Sequence, residues 1–137
     1  MSQPKNPITR ILLVEDDLNI ANVIKLVLPM LDIPYEFVHV LDAESGLAEW
    51  EAQPFDLMLT DYNLRGMNGM ALARTLRARG IYAPVILTTA YDGFELRREA
   101  RENGINYYLP KPFFMEDLIE TVRAALSGTH TREVNGH

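Results

Sequence analysis

Ile11-Leu12-Leu13-Val14-Glu15-Asp16-Asp17 is the stretch on which the reading of this chain turns. Four consecutive apolar residues do not suit a strand that shows one face to water. They suit a strand covered on both sides. The run breaks off into three acids, so negative charge is concentrated where that strand ends. The period then changes: Ile20, Val23, Ile24, Val27, Leu28 and Leu31 recur at the spacing of one helix face. Pro29 is expected to kink or end this helix early, because it removes a donor and crowds the preceding turn.

The same alternation continues outward. Phe37 to Val40 reads as a second strand, and Asp42 as the N-cap of a helix running to about Gln53. Phe55 to Thr60 is a third strand. Met70, Ala73 and Leu76 mark a third helix, entered through Asn68-Gly69. Pro84 to Thr89 is a fourth strand. Asp92 with Glu95 reads as a capping box in acidic form, opening a fourth helix that Gly104 closes. Tyr107 to Leu109 is a short fifth strand, and Phe114, Leu118, Val122 and Leu126 carry a fifth helix to about Ser127. Five apolar strands alternating with five helices predict an α/β fold: a parallel sheet with right-handed crossovers, covered on both faces. One domain is expected over 9–127, with an N-terminal tail (1–8) and a polar C-terminal tail (128–137).

Composition narrows the chemistry. At 137 residues the chain supports one core. With no cysteine it has no disulfide framework, thiol nucleophile or cysteine-based zinc site. A net charge of −6 argues against direct binding to nucleic acid or to an anionic membrane. No apolar stretch approaches the ~18 residues of a membrane span. Met1 to Arg10 lacks the apolar centre of a secretory signal, so a cytoplasmic location is expected.

In an open parallel sheet, ligands bind beyond the carboxyl ends of the strands. Glu15, Asp16 and Asp17 follow the first strand, Asp61 the third, Thr88 and Thr89 end the fourth, and Lys111-Pro112 follow the fifth. Taken singly each has an ordinary explanation: a turn former, a helix-dipole partner, a strand former, a solvated lysine. Their coincidence at one end of one sheet is far more specific. Carboxylates from the first and third strands would repel one another unless a hard divalent cation such as Mg²⁺ joined them. Lys111 and the Thr89 hydroxyl complete a cage for an anion with several oxygens, as phosphoryl transfer requires, with Asp61 the candidate phosphoryl acceptor, forming an acyl phosphate.

ILLVEDD (Ile11–Asp17), FDLMLTDYNLRGMNG (Phe55–Gly69), PVILTTA (Pro84–Ala90) and YYLPKPF (Tyr107–Phe113) together resemble the receiver domain of two-component response regulators, over about Thr9 to Ser127. The resemblance implies a flavodoxin-like (βα)5 sandwich with strand order 2-1-3-4-5. It implies Asp61 as phosphoacceptor, Asp16 as direct ligand of Mg²⁺ (or Mn²⁺), Glu15 acting through water, and the Asn63 backbone carbonyl completing the metal set. Thr89 corresponds to the switch hydroxyl, Lys111 to the phosphate-pairing lysine ahead of a cis Lys111–Pro112 bond, and Tyr108 to the switch aromatic. The implied partner is a sensor histidine kinase or histidine phosphotransfer protein. The implied output is a repacked helix 4–strand 5–helix 5 face that meets an effector or a second copy in a homodimer.

The chain departs from the family pattern in two places. Leu64-Arg65 stand where Met-Pro is usual, which removes a rigid turn and brings a mobile cation near the acceptor. Phe114 stands where Ser or Asp usually caps the last helix. Arg97, Arg98 and Arg101, on the family's signalling side, read as a solvated face of the fourth helix, with a dimer or partner contact as the alternative. His39 reads as an ordinary strand residue, and Trp50 as partial core. His130 and His137 fall in the tail. Two other functions are open to such a chain. A haloacid-dehalogenase-type phosphatase also uses Asp with Mg²⁺, but needs a second Asp two residues after the nucleophile, where this chain has Asn63. A phosphorylation-independent scaffold would not need the intact constellation. The expected function is therefore a phosphorylation-dependent signalling switch rather than a turnover enzyme.

Overall fold

The computed structural model describes residues 8–128. Most of the two expected tails, with His130 and His137, lies outside the described residues. The element order is β1 (Thr9–Val14), α1 (Leu18–Val27), β2 (Tyr35–Val40), α2 (Ala43–Ala52), β3 (Leu57–Asp61), α3 (Gly69–Ala78), β4 (Val85–Thr89), α4 (Phe94–Glu102), β5 (Tyr107–Pro110) and α5 (Met115–Leu126). The strands form one parallel sheet in the order β2-β1-β3-β4-β5. This is the expected flavodoxin-like arrangement.

The unbroken apolar run of β1 follows from its place in the middle of three layers. Ile11 and Leu13 point into one core with Ile24, Leu28, Leu118 and Val122. Leu12 and Val14 point into the other with Trp50, Leu72, Leu76 and Leu87. Side chains on a strand alternate between faces, so a strand with two cores has no position left for a polar residue. Trp50 is buried and meets Phe55 edge to face, 5.3 Å between ring centroids.

Pro29 does end α1: the helix stops at Val27 and a single 3₁₀ turn, Leu28–Leu31, follows. Other expectations need correction. Val23 is 49% exposed, because the covered stripe of α1 is carried by Ala21, Ile24 and Val27. β2 starts two residues early, at Tyr35, since pairing with β1 begins at Thr9. β3 starts at Leu57 and takes in Asp61. Asp92 does not cap α4: Gly93 occupies the N-cap without a side-chain bond, and both Asp92 carboxylate oxygens accept from the Arg97 guanidinium instead. Gly104 ends α4 as expected, at φ +80°. Phe114 leaves the start of α5 without a side-chain cap and is 75% exposed.

Candidate functional site

The acidic triplet divides its labour. Asp17 is the N-cap of α1, its Oδ1 accepting from the Asn19 amide at 2.9 Å and the Ile20 amide at 3.4 Å. That leaves Glu15 and Asp16 free of helix duty. Because β1 and β3 are neighbours, with Val14 opposite Thr60, their carboxylates meet that of Asp61. One oxygen from each of Glu15, Asp16 and Asp61 lies within 4.8 Å of the others.

Glu15 is held on several sides. Its amide donates to the Val40 carbonyl at 3.0 Å, and its Oε2 accepts from the Asp17 amide at 3.1 Å. Its Oε1 lies 3.4 Å from Lys111 Nζ. Burial pushes its carboxyl upward, the Asp17 amide works against that, and the Asp61 charge adds to the rise. Lys111 Nζ is also 3.0 Å from Asp61 Oδ1. Burial opposes the Lys111 charge, but the bond to Asp61 and the nearby Glu15 prevail and raise its ammonium above the ordinary value. The Lys111 amide donates to the Thr89 carbonyl at 2.7 Å, and the Lys111–Pro112 bond is cis. One ammonium thus faces three carboxylates, a donor set of hard oxygens with unbalanced negative charge, which is what a hard divalent cation requires.

The remaining side chains surround this cluster. Thr89 is buried at the end of β4, and its Oγ1 accepts from the Tyr91 amide at 2.9 Å, so the hydroxyl proton is directed elsewhere. Gly69, at the start of α3, packs against the end of β3: a Cβ there would sit 2.3 Å from the Asp61 carbonyl oxygen. Asn63 is exposed in the loop after β3, with Arg65 two residues on. Tyr108 lies on β5 opposite Leu87, half-buried, its hydroxyl buried without a partner of hydrogen-bond geometry among the described residues. The Arg97 guanidinium carbon is 4.5 Å from the centroid of its ring. Burial first, and the Asp92 charge second, raise the Tyr108 phenol, against weaker pulls from Arg97 and the Gly93 amide. Arg97 is therefore a tethered residue between Asp92 and Tyr108, where the sequence suggested a solvated face or a partner contact.

One contact had no sequence signal. His39 Nε2 lies 2.8 Å from the Glu15 backbone carbonyl, so this strand residue reaches the site. A lone histidine within a strand is uninformative unless the neighbouring strand and its register are known.

The model of the response regulator receiver domain matches residues 11–123. The transcriptional regulatory protein CiaR of Streptococcus pneumoniae is 38% identical over 117 residues, which is 85% of this chain and 51% of that protein. The response regulator protein FleR of Pseudomonas aeruginosa is 35% identical over 128 residues, 93% of this chain and 27% of that protein. The chain therefore spans from about a quarter to about half of the length of these curated relatives. Among solved structures, the receiver domain of the Francisella response regulator 1452 superposes with a TM-score of 0.81 at 28% identity, covering 90% of this chain and 99% of that one. The signal receiver domain of a Luxo repressor protein from Vibrio parahaemolyticus gives 0.83 at 27% identity, covering 95% and 99%. Strand order, the acid–acid–lysine cluster at the sheet's carboxyl end and the matched span agree: this chain belongs to the response regulator receiver domain family.

Proposed function

We infer that Asp61 is the phosphoacceptor of this receiver and that its phosphorylation drives a signalling switch. The observation that carries the reading is Lys111 Nζ, 3.0 Å from Asp61 Oδ1 and 3.4 Å from Glu15 Oε1, beside three converging carboxylates. Asp16, Asp61 and the Asn63 backbone carbonyl would hold Mg²⁺ (or Mn²⁺), with Glu15 acting through water. When bound, such a cation offsets the charge that the carboxylates and the phosphoryl oxygens bring together.

The chain's own residues do the rest. An Asp61 oxygen attacks the phosphorus of a phosphohistidine in line, an O–P bond forms as the P–N bond breaks, and the leaving imidazole takes up a proton. Lys111, already paired with Asp61, stays on the transferred group and balances its charge. Thr89 keeps the Tyr91 amide on its oxygen and turns its hydroxyl proton toward the phosphoryl group, which draws the end of β4 inward. Tyr108, on the adjacent strand, responds with α4 and α5 to present a changed face.

The donor is a sensor histidine kinase or a histidine phosphotransfer protein, and the readout is an effector at the α4–β5–α5 face or a second copy in a homodimer. The location is cytoplasmic; among the described residues no helix is long and apolar enough to cross a membrane. The net charge of −6 supports output through another molecule or segment rather than direct nucleic-acid contact. The chain returns to its starting state by hydrolysis of its own acyl phosphate and is not a turnover enzyme.

Incubation with Mg²⁺ and acetyl phosphate, followed by intact mass measurement, tests the reading. A species one phosphoryl group heavier is expected, absent in Asp61→Ala. No adduct at any Mg²⁺ concentration would overturn the assignment, and sustained turnover of phosphomonoesters would replace it with a phosphatase.

A further inference from the structure

The carbonyl of Glu15 is a place where the sheet runs out of partners. In a parallel ladder a central residue donates its amide to one carbonyl of the neighbouring strand and accepts from the amide two residues further on. The Glu15 amide finds the Val40 carbonyl at 3.0 Å. A continued β2 would then offer the amide of Asp42, but the strand ends at Val40 and Asp42 is the N-cap of α2, its Oδ1 accepting from the Ser45 amide at 2.8 Å. The Glu15 carbonyl accepts instead from a side chain: His39 Nε2, at 2.8 Å. A carbonyl only accepts, so Nε2 carries the proton. His39 stands opposite Leu13 in the register, and its half-buried ring reaches along the sheet edge to the end of β1.

The peptide that His39 grips is the one from which Asp16 departs. Glu15 is fixed through its amide, through Oε2 by the Asp17 amide and through Oε1 by Lys111. Asp16 is half-buried, and the orientation of its Cα–Cβ bond depends on the Glu15–Asp16 peptide plane. We propose that His39 is a positioning residue of the acidic pair, its Nε2–H holding the Glu15 carbonyl so that the Asp16 carboxylate meets that of Asp61. The proposal rests on the metal reading given under Proposed function, to which it adds a residue that touches neither the cation nor the phosphoryl group. Partners behind a ligand commonly weaken metal binding by about tenfold or more when removed.

Mg²⁺ affinity by calorimetry, with the carbonyl ¹³C shift of Glu15 and the amide ¹⁵N shift of Asp16 in metal-free protein, tests it. His39→Phe keeps a ring and loses the donor; His39→Val is a second donorless variant suited to a strand; His39→Gln restores an N–H of similar reach. The donorless variants are expected to bind Mg²⁺ about tenfold more weakly and to shift both resonances. His39→Gln should recover most of both losses. Parent-like affinity in a folded donorless variant, or His39→Gln as weak as His39→Phe, overturns the proposal. If the parent itself fails to bind Mg²⁺, the metal reading and the purpose assigned to His39 both fall. If the parent binds but the donorless variants match it, only the role of His39 falls.

Discussion

Glu15 is the residue at which the cost of this site can be measured. It is 1% exposed, and its carboxyl is raised, first by burial and further by the Asp61 charge. The folded state therefore holds a proton on this group more tightly than the unfolded chain does. For such a group stability is greatest below its ordinary value of 4.5 and is lost as pH rises through the raised value. Near neutral pH, without a cation, Glu15 is a buried charge only partly offset by Lys111, which has Asp61 as a nearer partner. Glu15→Gln should therefore stabilise the metal-free protein at pH 7, by on the order of 1 kcal/mol. That is a rise of a few degrees in melting temperature. The gap should close below pH 4.5, where the parent's Glu15 is protonated too. Added Mg²⁺ should raise the parent more than the variant, because binding to the folded state alone stabilises it. Thermal melts followed by circular dichroism, with chelator and with Mg²⁺, check all three. A variant less stable than the parent at pH 7 in chelator would refute the argument.

At the scale of elements, α4 shows both what a sequence reveals and what it conceals. The apolar runs of β1, β3 and β4 could be read because a strand with two buried faces leaves no other pattern. Asp61, Lys111 and the Glu15–Asp16 pair could be read because parallel topology brings strand ends together whatever the exact boundaries. The start of α4 could not. Asp92 and Glu95 have capping-box spacing, yet Asp92 goes to Arg97, a competition between backbone and side-chain donors that spacing alone does not decide. His39 escaped for a similar reason, since its partner is a carbonyl on another strand. The outcome at α4 has consequences. Arg97 is pinned by Asp92 and lies over Tyr108, so one weak contact ties the helix to the β5 aromatic and a second holds Arg97 in place to make it. The ion pair is nearly half exposed on both sides and screened by water, so it holds weakly, and the cation–ring contact is worth about 0.5–1 kcal/mol. Arg97→Ala should then cost little stability while freeing the Tyr108 ring. A fluorotyrosine at position 108 should report a sharper, more solvent-like ¹⁹F signal in the variant. An unchanged signal would show that core packing alone holds the ring.

The whole molecule is polarised about the strand that carries Asp61. β3 is the middle strand, with β1 and β2 on one side and β4 and β5 on the other. The carboxylates of Glu15 and Asp16 come from the first side, whereas the hydroxyl and the ammonium, Thr89 and Lys111, come from the second. The Lys111 amide donates to the Thr89 carbonyl at 2.7 Å, so these two donors are themselves linked across β4 and β5. A tetrahedral group on Asp61 would attract both donors at once, while on the β1 side the acids would remain where a cation holds them. The mechanical effect should therefore travel toward α4 and α5 and leave α2 and β2 quiet. Amide hydrogen exchange with Mg²⁺ and beryllofluoride, a phosphoryl mimic, should show altered protection in β4, α4, β5 and the start of α5, with α2 and β2 unchanged. Lys111→Ala should keep the fold, since the lysine contributes charge pairing rather than core packing, but should abolish the response at Tyr108 even where the mimic still binds. Coupling is reciprocal, so a partner that favours the altered α4–β5–α5 face must also tighten the hold on the mimic. Uniform protection across both halves of the sheet would count against a polarised switch. So would a Tyr108 response that survives in Lys111→Ala, because it would show that the two strand-end donors do not act as the link.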